Sequence, residues 1–187
     1  MRRFRSAPTS LALALIGSTA LFAACSESFD NTFNGTCGAT YVAEEPQPGD
    51  PEVSLRLSSD LLTCSSGVTF GTLRGTTQML IVDVGEFTDT LGVTRDSVTI
   101  TGTSTVYNEA GDSLQSTFSG VGAFIIDEGP VDFVMSFKGT ETYSGGTGEF
   151  DPGTGSSAVT GQLNFMTAKG NSTFNGTLTA NNQEMEF

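Results

Sequence analysis

The chain has no histidine and no tryptophan, and only eight of its 187 residues are Lys or Arg. Without histidine there is no Ser-His-Asp triad, no Cys-His pair and no imidazole-held zinc, copper or non-haem iron. Three of the eight basic residues are Arg2, Arg3 and Arg5, so the rest of the chain sets five cations against 21 acids. A surface with that balance repels nucleic acid and anionic lipid headgroups. Cysteine is limited to Cys25, Cys37 and Cys64. No apolar run reaches the ~20 residues that a membrane-spanning helix needs. From residue 53 onward no segment repeats its apolar residues at helical spacing.

What is present begins at the N-terminus. Arg2, Arg3 and Arg5 precede an apolar stretch from Leu11 to Ala24, interrupted only by Gly17, Ser18 and Thr19 and closed by Cys25. That is the layout of a secretory signal. Ala23, Ala24 and Cys25 resemble the lipobox of bacterial lipoproteins, with Phe22 where that pattern usually has Leu. An ordinary cut after Ala24 or Ala23 places Phe22 or Leu21 at the −3 site, a poorer fit. The resemblance implies that residues 1–24 are removed and that Cys25 carries the lipid. With Ser26 rather than Asp next, it also implies residence in the outer membrane of a bacterial cell envelope. The membrane is then a partner through the N-terminal lipid, each buried methylene contributing about 0.8 kcal/mol. The remaining 163 residues carry a net charge of −16 and suffice for one domain with a real core. In an oxidising compartment Cys37 and Cys64 read as a disulfide tying the N-terminal segment to an early strand, stabilising by about 3–4 kcal/mol. As a nucleophile, either thiol lacks a histidine to activate it.

Residues 25–52 read as a flexible tether. Ser, Asp, Asn and Gly dominate its first half, and Glu44, Glu45, Pro46, Pro48 and Pro51 make the second half acidic and proline-rich. Residues 53–187 read as an antiparallel β-barrel domain, because alternation at period two persists throughout. Strands are expected near 53–57, 68–73, 79–87, 98–107, 114–126, 131–143, 159–165 and 174–178, with turns at 108–112, 127–130 and 169–171. Glycines on the apolar faces, such as Gly102, Gly120, Gly139 and Gly161, point to bending and closure. The expected fold class is all-β: a single antiparallel up-and-down barrel of about eight strands, with a β-sandwich as the alternative.

One segment carries a family resemblance. Gly145, Gly146, Thr147, Gly148 and Phe150, followed by Gly155, are similar to the Gly-Gly-Thr-Gly-x-Phe segment of allene oxide cyclase and dirigent-like barrels. The resemblance spans about forty residues and implies that the glycines permit a tight crossing between two long strands while Phe150 plugs the barrel end. Where dirigent proteins commonly carry an active-site Arg, this chain has Thr154. The resemblance therefore implies the barrel and not the chemistry. Absence of tryptophan separates the chain from lipocalins and avidins.

Two carboxylates interrupt apolar faces. Asp83 shares one with Met79, Ile81 and Phe87, and Glu141 shares one with Phe133, Met135, Phe137 and Tyr143. A carboxyl desolvated inside a barrel has a raised pKa and can serve as general acid or base, with Tyr107 or Tyr143 as partner. The bland alternative puts both at the wet rim. Asp127 with Glu128, and Glu149 with Asp151, are acidic loops without the ligand spacing of an EF-hand. Asn34, Asn171 and Asn175 begin glycosylation sequons, read as Asn/Gly/Thr-rich turns and strands in a bacterial lipoprotein. No metal and no cofactor is expected. The function expected is non-catalytic: a small apolar ligand held in the barrel, or a structural or interaction module at the cell surface. The alternative is a cofactor-free isomerase or cyclase working inside the lumen.

Overall fold

Period-two alternation becomes nine strands in the computed structural model, which describes residues 28–66, 70–88, 94–125 and 133–181. The signal at 1–24, Cys25 and the turn at 127–130 lie outside the described residues. The strands are β1 (Ser28–Thr40), β2 (Val42–Glu44), β3 (Ser54–Ser65), β4 (Thr72–Thr88), β5 (Thr94–Tyr107), β6 (Ser113–Ile125), β7 (Val134–Gly146), β8 (Pro152–Asn164) and β9 (Lys169–Asn181). A single 3-10 turn, Gly148–Phe150, joins β7 to β8.

Neighbouring strands are antiparallel and consecutive from β3 to β9, and β9 pairs with β1. The ring closes where β1 meets β3, through Thr36↔Ser65, Cys37↔Cys64 and Gly38↔Thr63. The short β2 prolongs the line of β1 and meets β3 at Val42↔Ser58. The result is an up-and-down ring of eight long strands, as expected; with its two edges paired to each other, it is not an open sandwich.

Two expectations need correction. Residues 28–40, assigned to the tether, form β1 and pair with β9 along all of its length. Phe29, Phe33, Cys37 and Ala39 do alternate, but the intervening Asp, Asn and Thr and the paired Gly35 and Gly38 lower β propensity. Docking onto β9 outweighs that local preference. The proline-rich stretch is the connection from β2 to β3, pinned by an Arg56–Asp50 ion pair at 2.6 Å. The second correction concerns 68–73 and 79–87, read as separate strands. Thr72–Thr88 is one 17-residue strand, while Phe70 precedes it and is buried.

Inward side chains form two apolar clusters stacked along the barrel. The one nearer the start of β1 gathers Phe33, Phe70, Leu73, Tyr143, Phe150 and Phe174. The other gathers Leu57, Ile81, Val98, Ile100, Met135 and Leu163. Each fully buried Leu, Ile or Phe contributes about 1.5–3 kcal/mol. Phe118 and Phe137 pack against both clusters, ring centroids 5.9 Å apart and edge to face.

Candidate functional site

Between the two clusters lies a band of polar inward side chains. Alternation along β7 sends Phe137, Glu141 and Tyr143 inward, and register sets Glu141 opposite Phe118 on β6 and Ser157 on β8. Ser116 on β6 donates its hydroxyl to Glu141 Oε1 at 2.6 Å. Next to it, the Tyr143 hydroxyl and Ser157 Oγ lie 2.7 Å apart. On the neighbouring strands β5 and β4, Ser104, the register partner of Ser116, donates to Thr77 Oγ1 at 3.0 Å, and Thr77 donates to the Thr103 carbonyl at 3.3 Å. Thr77, Ser104, Ser116, Glu141 and Tyr143 border a cavity of about 90 Å³ that also touches Tyr41, Ser172 and the Cys37–Cys64 bridge.

Burial raises the Glu141 carboxyl above the usual range, the Ser116 hydrogen bond offsetting part of the effect. Tyr143 is raised by burial and then by the nearby Glu141 charge, against the opposing bond to Ser157. Tyr41 is pushed up to about 12 by burial. Among the described residues the one ion pair is Arg56–Asp50, and no cation pairs with Glu141. The arrangement can hold or release a proton at Glu141, with hydroxyl oxygens around it.

The structure separates the predicted site residues. Glu141 and Tyr143 share the interior. Asp83 keeps the parity of Met79 and Ile81 but lies past the end of the core, exposed at a bulge where β4 shifts register against β5. Its carboxylate accepts the Gly85 N–H at 2.9 Å, so it holds the bulge rather than facing the lumen. Tyr107 is 44% exposed and is no partner for either carboxylate. Glu149 accepts from Asn108 Nδ2 at 2.9 Å, tying the β5–β6 hairpin to the β7–β8 turn.

The glycine-rich segment lies at the barrel end where β1 begins. Gly145 and Gly146 finish β7, and Phe150 is fully buried against Phe70, ring centroids 5.3 Å apart. Gly148 has φ +56°, and a Cβ there would sit 2.0 Å from Asp112 Oδ1, so only glycine fits the turn. Gly155 follows in β8. Sequence reasoning missed Ser116, Ser157, Thr77 and Ser104, since inward serines and threonines blend into a chain rich in both. The one signal was Ser116 itself, a polar break between inward Leu114 and Phe118.

The outer wall is a second candidate surface. Cross-strand pairing links Thr32, Thr177, Ser156, Thr142, Thr117 and Thr103 into one exposed row over six strands. An open depression of about 1290 Å³ crosses the same wall, lined mainly by short Ser, Thr and Gly residues with Lys138 and Val121. No family model matches the chain, and no characterised protein or solved structure is significantly similar to it.

Proposed function

We propose that this protein is an exported, lipid-anchored envelope module that works through its outer wall and catalyses no reaction. The observation that supports this most is the fullness of the lumen. Drug-sized ligands occupy pockets of about 300–1,000 Å³, whereas two packed clusters leave about 90 Å³ here. An apolar ligand of ordinary size therefore has no room, while the outer wall offers an extended hydroxyl-rich surface.

The start of β1 sharpens the role of the lipid. Only Ser26 and Glu27 separate Cys25 from Ser28, a span of about 10 Å at most. Acylated at Cys25, the barrel would stand against the bilayer with the Phe150 end facing it, and not swing on a long tether. The test is intact-mass analysis of the chain extracted from bacterial membranes, under native and denaturing conditions. A mature N-terminus at acylated Cys25, and no mass of lipid size released on unfolding, is the expected result. An unmodified N-terminus overturns the anchor, and a released mass of lipid size overturns the filled lumen. A Cys25→Ser chain should leave the membrane fraction.

A further inference from the structure

The Glu141 cavity has a chemistry that the outer-wall reading does not use. Its polar lining is oxygen throughout: the Glu141 carboxyl and the hydroxyls of Ser116, Ser104, Thr77 and Ser172, with Tyr143 beside them. Among the described residues no Lys, Arg, Asn or Gln side chain lines it. An anion would meet no positive charge there and would be repelled by an ionised Glu141. A guest that brings several N–H donors would meet acceptors on more than one side. A cavity of about 90 Å³ takes a guest of a few non-hydrogen atoms. The rings of Phe118, Phe137 and Phe174 border it, surfaces that suit a short alkyl group and the face of a cation.

From this geometry we infer that the barrel interior binds a small primary alkylamine, of the size of methylamine or ethylamine, as an ammonium ion paired with Glu141. A bare cation would have to cross an apolar cluster at high cost, so the amine passes inward as the neutral base after leaving its proton in solvent. Inside, the O–H bond of protonated Glu141 breaks and an N–H bond forms, giving ammonium and carboxylate in contact. The balance is one alkylammonium taken from solution and one proton returned to it. Among the described residues the titratable groups facing Glu141 are Tyr143 on its own strand and Tyr41 across the cavity. Both keep their protons at neutral pH, so Glu141 alone accounts for the exchange. The inference does not depend on the lipid anchor or on the role of the outer wall.

The experiment is calorimetric titration of the full mature chain with methylammonium chloride, in buffers of different ionisation enthalpy. In acid, where Glu141 is protonated in the free protein, saturable one-to-one binding with release of one proton is expected. Affinity should rise about tenfold per pH unit while Glu141 remains protonated in the free protein. Tetramethylammonium, which has no N–H and cannot become neutral, should not bind. Glu141→Gln should abolish binding and proton release; if that variant fails to fold, Ser116→Ala should shift the pH dependence in its place. Absence of saturable methylammonium binding to the folded wild type overturns the inference. So does binding without proton release, or equal binding by a folded Glu141→Gln chain.

Discussion

The two edges of β1 are held in different ways. Along one, every residue from Ser28 to Thr40 has a partner on β9. Along the other, the ladder to β3 covers only Thr36, Cys37 and Gly38 among the described residues, with the Cys37–Cys64 bridge across its middle pair. The difference follows from chain connectivity. Strands β3 to β9 are joined by hairpins and pair locally, so each closure costs little entropy. Closing the ring demands contact between β1 and β3 across the β2 excursion, and a bulge between Ser59 and Leu62 shifts β3 at this point. Contact here is tight enough that a Cβ on Gly35 would lie 1.9 Å from the Ser65 carbonyl. A covalent link at this three-pair ladder compensates for the few hydrogen bonds there. The half of β1 below the bridge is held inward by Phe33, whose ring meets Phe70, Tyr143 and Phe174 with centroids 4.9–5.4 Å apart.

This contrast can be broken at several points. Phe33→Ala should have the largest effect, about 3–5 kcal/mol of stability, read by urea unfolding, because it removes the packing that substitutes for strand pairing. Replacing both cysteines by serine should cost about 3–4 kcal/mol. Hydrogen exchange in that variant should rise first at residues 36–38 and 63–65 and last in β5–β7. Uniform exchange would mean that the three-pair ladder closes the ring unaided.

Glu141→Gln sharpens the contrast from the interior. The folded carboxyl titrates above its unfolded counterpart, so its contribution to stability is complete in acid, below the ordinary carboxylate range. That contribution is lost as pH rises from there through the raised value. Wild type should therefore lose stability relative to Glu141→Gln between acid and neutral pH, as followed by Tm in both proteins across that range. A constant difference would mean that Glu141 is not desolvated. Thr142→Ala on the outer wall should change stability by no more than about 0.5 kcal/mol, since Thr142 is exposed and its strand is paired on both sides. A larger loss would show that the hydroxyl row is structural.

The inward faces of β5 to β7 were legible because each strand writes its own alternation: Val98 and Ile100, Leu114 and Phe118, Phe137 and Tyr143. The carboxyl at 141 was legible in the same way, as a break in such a row. Its partner Ser116 showed only as a polar break between Leu114 and Phe118, and Ser157, which bonds Tyr143, becomes distinctive only when β7 and β8 lie side by side. Strand β1 was hidden by Asn, Asp and Gly, whose weak β propensity is overcome only by docking onto a strand some 140 residues later.

Composition and period alone determined that this chain is all-β, antiparallel, free of histidine chemistry and supplied with one cysteine pair beyond Cys25. Tertiary structure decided which carboxylate is buried. Asp83 and Glu141 carry the same local signal, yet register places one beyond the core and the other between its two clusters. Tertiary structure also decided that the ring closes through residues 28–40. Alternation reports which face a side chain takes, a property of neighbouring residues. Depth along the barrel and the identity of the closing strand depend on register between strands far apart in sequence, which no local pattern encodes.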